Sequence, residues 1–275
     1  MNCVFQRDWH LQVERIDKNL TSSCHYLDSY AEKKAVLEIN INDYCIQRAQ
    51  LVKLGCPGGF TENTIELNEI RGVSAYASSG PILRTILKPL ISEQDRELIN
   101  QCIIGAFQGE TFIFQERGFA SAEQYSQAGD EFLLGTCRYY SNLERTTHSW
   151  FEYIGLPERK KYLFNRFKNQ QLMATPEDYW LIGSLNDTFH QVNTVLQLDK
   201  TDHRVKSAWG GLLKAPDKVC RESSNYVQGL IGLDILRMNK KELAGQLGAQ
   251  QGCVHVIDIV YDSAETLRMY LQKRV

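Results

Sequence analysis

Two places in the chain bring chemically capable residue types to close spacing. The first is Gly252-Cys253-Val254-His255, directly ahead of a stretch with helical periodicity. A cysteine at a helix start faces unpaired backbone N–H groups and the positive end of the helix dipole, which favours its thiolate. His255, two residues on, has the reach to share a metal ion with that sulfur or to exchange a proton with it. The same residues have a plainer use, with Cys253 filling a helix–sheet contact and His255 on a polar face. The second place is Cys137-Arg138-Tyr139-Tyr140, with His148 and Trp150 close behind. A thiol beside a fixed cation and two phenols suits an anionic or aromatic ligand. Rings at this density equally serve to pin a long segment by apolar contact.

The remaining cysteines are less suggestive. Cys56 follows a strand-like run. Cys24 and His25 are adjacent, so on a strand they point to opposite faces and only one of them can address a given site. Cys102 shares an apolar helical face with Leu98, and Cys3 and Cys45 have no partner defensible from spacing. There is no Gly-rich phosphate loop with Lys, no His-Glu-x-x-His, no Gly-x-Ser-x-Gly and no Cys-x-x-Cys in the sequence. The net charge of −2 comes from Lys and Arg scattered among Asp and Glu, which offers nucleic acid no basic stripe. The longest apolar runs, such as Cys102-Ile103-Ile104-Gly105-Ala106-Phe107, fall far short of the ~18 residues of a membrane-spanning helix. The first residues show no basic segment followed by an apolar one, so the expectation is a cytoplasmic protein whose eight cysteines are free thiols or ligands.

The elements that must position these groups are written twice. A shift of 159 residues carries Asp28-Ser29-Tyr30, Val36-Leu37-Glu38-Ile39, Asp43, Ala49, Leu54 and Pro57 onto Asp187-Thr188-Phe189, Val195-Leu196-Gln197-Leu198, Asp202, Ala208, Leu213 and Pro216 without a gap. This reads as a tandem duplication. Period-two alternation predicts strands over 10–17, 20–26, 36–41 and 44–54, and in the second copy over 179–182 and 194–198. Helices are predicted from Thr61 to a Gly72 cap, over 82–90 and 97–114, then over 221–230, 240–247 and along the stripe Val256, Val260, Ala264, Leu267, Leu271. Strands followed by helices predict an α+β fold of two pseudo-twofold repeats, each an antiparallel meander with helices packed on one face. The expected division is 1–117, an aromatic connector over 118–161, and 162–275.

The chain also carries a family likeness. Gly55-Cys56-Pro57 followed by Leu67-Asn68-Glu69-Ile70-Arg71-Gly72, with Cys253 and His255 before a last helix, resembles the U-type iron–sulfur cluster scaffold family. The order of Cys and His is reversed, and Tyr26, Leu27, Leu185 and Asn186 stand where that family's turn has Cys and Gly. Asp187-Thr188-Phe189-His190, Cys220 before Leu230-Ile231-Gly232, and Gly252-Cys253-Val254-His255 are together similar to a bacterial domain family of unknown function, mainly over 164–272. This likeness implies a site of His190, Cys220, Cys253 and His255 with Asp187 as ligand or outer support, a donor set suited to zinc or an iron–sulfur cluster. The first copy has Ala31 opposite His190 and Gln94-Asp95-Arg96-Glu97 in place of Gly-Cys-x-His, so it reads as degenerate.

Three functions follow as expectations. One is a metal- or iron–sulfur-handling protein. Another is an enzyme acting on a small organic acid or thioester, with Cys253 as nucleophile or His255 as base and the connector as pocket lid; Cys56, Cys137, Arg138 and Tyr139 are read as a separate, additional pocket. The last is an interaction module in which the duplication imitates a homodimer. The expected partners are a small molecule or a protein, with a homodimer compatible, and neither nucleic acid nor membrane.

Overall fold

The computed structural model describes residues 1–55, 62–155 and 158–273, so Cys56 lies outside the described residues. Among the described residues nine strands come in two runs, each followed by helices: β1 Asn2–Ile16, β2 Asn19–Asp28, β3 Glu32–Asn40, β4 Ile46–Gly55 and β5 Asn63–Glu66, then β6 Tyr162–Ala174, β7 Asp178–Asp187, β8 Gln191–Asp199 and β9 Val205–Lys214. They belong to one antiparallel sheet with the order β5-β4-β3-β2-β1-β6-β7-β8-β9. The helices are α1 Gly80–Leu87, α2 Glu93–Gly109, α3 Ala122–Leu133, α4 Trp150–Ile154, α5 Lys218–Arg221, α6 Lys240–Gln246 and α7 Val254–Lys273. None of the described helices is long and apolar enough to cross a membrane.

The chain forms two compact units, one of residues 1–7, 126–156 and 168–275, the other of 8–125 and 157–167. The segment read as a connector over 118–161 has no unit of its own, and its 126–156 portion belongs with the second-half strands.

In the unit of 8–125 and 157–167, β2, β3, β4 and β5 pair antiparallel in sequence order. Burial alternates along β2, as expected of a strand with one face against a core. The inner face carries Leu20, Cys24, Tyr26, Leu37 and Ile39, and α2 covers β2 and β3. Cys102 on α2 is fully buried, with its sulfur toward the Ala35 carbonyl at 3.7 Å, while Ser22 donates to the Cys102 carbonyl at 2.7 Å. Cys24 is buried and its neighbour His25 bonds Glu32 at 2.7 Å on the other face, as strand geometry demands.

The helix predicted from Thr61 to Ile70 is corrected. Asn63–Glu66 is a strand paired with β4, and only Asn68–Ile70 turns, as a 3-10 helix. The edge of β4 offered unpaired backbone groups, and pairing with them outweighed a helical pattern only two turns long. Gly72 does carry the positive φ of a cap, at 80°. Over 221–230 the expected helix is one α turn followed by the 3-10 run Glu222–Leu230.

In the unit of 1–7, 126–156 and 168–275, β7, β8 and β9 pair antiparallel and α7 packs across β7 and β8. Of the apolar stripe expected on α7, Val256, Val260, Ala264 and Leu267 are at 1% exposure or less, while Leu271 is only partly buried. Asp262, Ser263 and Thr266 are buried beside it. They meet polar groups rather than apolar ones: Lys168 reaches Asp262 at 2.7 Å, Ser263 donates to Gln170 at 2.7 Å, and Arg7 donates to Thr266 at 3.1 Å. Each buried polar atom thus recovers a partner it lost with water.

The strand boundaries of the two halves coincide under one shift. β7, β8 and β9 (178–187, 191–199, 205–214) each begin and end 159 residues after β2, β3 and β4 (19–28, 32–40, 46–55). The register irregularities between Glu38 and Ile39 and between Gln197 and Leu198 obey the same shift, as do the positive φ angles of Tyr44 and His203.

Candidate metal centre

The centre is built on the tight turn from β7 to β8. The Asp187 carboxylate Oδ1 accepts the backbone N–H of Phe189 at 2.8 Å and of His190 at 2.7 Å, while the Asp187 N–H donates to the His190 carbonyl at 2.8 Å. Asp28 does the same between β2 and β3, accepting from Tyr30 at 2.6 Å and Ala31 at 2.7 Å. The aspartate repeated in the sequence is therefore first a turn builder. What differs is the fourth residue of the turn, His190 in one and Ala31 in the other.

Two further side chains brace the His190 turn. Tyr153 of α4 donates to the Phe189 carbonyl, and Lys214 at the end of β9 donates to the Asp187 carbonyl. The Trp150 ring meets the Phe189 edge with centroids 4.8 Å apart. His190 is therefore presented by a turn whose backbone groups are already committed, the preorganisation a ligand needs.

The His190 Nδ1 lies 3.2 Å from Asp187 Oδ1. The His255 ring lies against His190, centroids 4.0 Å apart and planes tilted by 32°. Asp187, His190 and His255 each offer a donor atom within 4.8 Å of the others. Two of them are buried and His255 is half-buried.

Cys253 occupies the residue before α7, and its sulfur is 3.8 Å from His255 Nδ1. The thiolate expected from that position is corrected. Burial, at 8% exposure, pushes the thiol up to about 11, and the N–H groups of Val256 and His255 that face the sulfur only partly offset it. Gly252 explains the glycine of the motif: a Cβ there would sit 2.0 Å from the Leu247 carbonyl oxygen. Gly252→Ala is expected to destabilise the fold by about 1–3 kcal/mol and to displace Cys253, measurable by denaturant unfolding.

The sequence-expected set is thereby divided. Asp187, His190 and His255 converge; Cys253 touches the His255 edge; Cys220 lies in the same apolar cluster, outside the convergent group. Burial raises the Cys220 thiol to about 12.

The pocket read from Cys137, Arg138 and Tyr139 is also corrected. The Arg138 guanidinium is committed to the Val219 carbonyl at 2.9 Å, the Gln251 carbonyl at 3.2 Å and the Glu222 carboxylate, and its backbone N–H donates to Gly252 at 2.8 Å. Tyr139 is buried and donates to the His148 carbonyl at 2.9 Å. Cys137 is half-buried against the core. Arg138 is thus a clamp on the residues just ahead of Cys220 and Cys253, and no cation is left facing a ligand there.

Asp217 went unremarked in the sequence, although an acid directly before the first residue of a helix is the common N-cap signal. Its buried carboxylate accepts from Val219 at 2.9 Å, Thr147 N at 2.7 Å and Thr147 Oγ1 at 2.7 Å. Burial pushes this acid up, and the N–H donors Val219, Thr147 and His148 more than reverse that, holding it at about 2 against an ordinary 3.8. A depressed acid stabilises above its ordinary value and loses that contribution as pH falls through the folded one. Asp217→Asn is therefore expected to cost about 2 kcal/mol at neutral pH and nothing near pH 2, with the wild-type advantage vanishing between about pH 4 and 2 in urea titrations.

Tyr153 and Lys214 left no sequence signal, because their partners are backbone carbonyls. No curated protein and no solved structure matches the chain. No match to an iron–sulfur scaffold arises from any comparison. Residues 173–268, a span that holds Asp187, His190, Cys220, Cys253 and His255, match the model of a family described as "Protein of unknown function (DUF2889)".

Proposed function

We propose that residues 173–268 handle a single zinc-type divalent ion, held by Asp187, His190 and His255. The observation that carries this reading is the convergence of three donor atoms within 4.8 Å, two from a turn braced by Tyr153 and Lys214 and one from α7. Two imidazoles and a carboxylate are a common donor set for zinc and for other first-row divalent ions. An iron–sulfur cluster asks instead for several thiolates around one position. With Cys220 and Cys253 outside the convergent group, the mononuclear ion is the better fit. Elemental analysis of protein purified without oxygen tests this. Near-stoichiometric metal that is lost in His255→Ala supports it, and a metal-free wild type after zinc incubation and desalting overturns it.

The duplication belongs to this proposal. Shared strand bounds, shared register irregularities and the paired aspartate turns support descent of both halves from one unit. In the first copy Ala31 replaces the ligand, and the helix start is occupied by Asp95, ion-paired with Lys33 at 2.7 Å. A buried ammonium–carboxylate pair there does structural work that needs no metal.

One observation favours a second reading, an enzyme with Cys253 as nucleophile: the 3.8 Å approach of its sulfur to His255 Nδ1. A thiol raised to about 11 is on the order of one part in ten thousand thiolate at pH 7. Iodoacetamide labelling at that pH decides between the readings. Exposed Cys3 modified well before Cys253 fits the metal reading, and preferential labelling of Cys253 in metal-free protein fits the enzyme.

A further inference from the structure

Resting on the metal centre just proposed, we infer that Cys253 is the fourth ligand, so that the ion sits in a closed site of one sulfur, two nitrogens and one oxygen. Its sulfur already lies 3.8 Å from His255 Nδ1, close to the separation of two donors on one tetrahedral zinc ion. It reaches only that edge of the triad, and the remaining approach is within the ~3 Å a sulfur travels between staggered rotamers.

The surroundings of this sulfur are those of a metal thiolate. Cys253 stands immediately before the 20-residue helix α7, so a thiolate there meets the positive end of the helix dipole. In a buried position the one requirement left is a cation to compensate the charge, which the triad supplies on loading. Coordination forms the sulfur–metal bond and breaks the S–H bond, and that proton passes to solvent.

Cys220 and Cys137 do not compete for this place. Cys220 has its backbone tied into α5 and its carbonyl bonded by Ser223 at 2.6 Å, and Cys137 precedes the Arg138 clamp. The sulfur also narrows the class of ion. A thiolate with two imidazoles selects zinc, cobalt and similar borderline ions over magnesium, calcium and manganese, which prefer oxygen shells. Four protein donors leave no open position, so the site holds its ion rather than activating water on it.

Cobalt(II) added to the metal-stripped full chain tests this. Visible absorption reports a bound tetrahedral ion, and a near-ultraviolet sulfur-to-cobalt band reports the thiolate. Wild type is expected to show both bands, Cys253→Ser to keep the visible and lose the near-ultraviolet band, and Cys220→Ser and Cys137→Ser to keep both. A wild type with visible bands alone, or a near-ultraviolet band that survives in Cys253→Ser, overturns the fourth ligand while leaving the triad standing. Absence of visible bands in wild type overturns the triad as well. If Cys253→Ser loses both bands, alkylation of wild type decides: shielding of Cys253 by cobalt supports the assignment, and unchanged labelling overturns it.

Discussion

His190→Ala is expected to lower zinc affinity by at least about 100-fold, since even an outer-shell partner of a ligand is worth 10–100-fold. Bound zinc after desalting should fall from near one equivalent to a small fraction of one. The loss should be specific, because the turn does not depend on the imidazole. Asp187 builds it through the backbone N–H groups of Phe189 and His190, and Asp28 builds the same turn with Ala31 at its end. The metal-free variant should still fold, with loss of the buried ring costing about 1–3 kcal/mol relative to the metal-free wild type. Asp187→Ala should remove both turn and metal. A His190→Ala chain that keeps its zinc would move the centre elsewhere.

Lys168→Met is expected to cost about 3–5 kcal/mol of stability, measured by urea unfolding. Lys168 is 4% and Asp262 11% exposed in side chain, and their ion pair at 2.7 Å joins β6 to α7. Removing the ammonium leaves a carboxylate in a place where water cannot repair the loss. Asp262→Leu combined with Lys168→Met should recover most of the stability, because two apolar groups of similar size often equal or exceed a buried pair. If the double variant is as unstable as the single one, the cost lies in packing rather than in the stranded charge.

The α7 helix shows how far the sequence could be read. Its apolar residues recur at helical spacing, and the stripe Val256, Val260, Ala264 and Leu267 is buried as expected. The buried side that carries Asp262, Ser263 and Thr266 has no such signature, because polar residues on a helix look solvated until Lys168, Gln170 and Arg7 arrive from distant strands. The coinciding strand bounds of the two halves were legible for the same local reason, since strand alternation and turn-forming aspartates are short-range properties. What they could not tell was that β5 pairs with β4, a pairing that overrode helical spacing.

At the centre, Cys253 and His255 stood out because the chain places them two residues apart ahead of a helix, and His190 and Cys220 entered by likeness to a family. Their convergence was only partly legible. The fold brings Asp187, His190 and His255 to one point and leaves Cys220 beside it, a distinction that depends on where α5 meets α7. Arg138 misled for a related reason. A cation next to tyrosines resembles a ligand pocket, yet its fork is filled by two backbone carbonyls and Glu222, none of them near it in sequence.

The most direct test of the centre is the melting temperature of chelator-stripped protein as zinc is added. An ion that binds only the folded chain stabilises it by RT ln(1 + [L]/Kd), about 2.7 kcal/mol at a free concentration 100 times Kd. The metal centre requires a melting temperature that rises with zinc in wild type, is unaffected by magnesium, and does not rise in the His190→Ala, His255→Ala double variant. A wild-type melt that ignores zinc up to millimolar concentration, or a rise equal in the double variant, would contradict it.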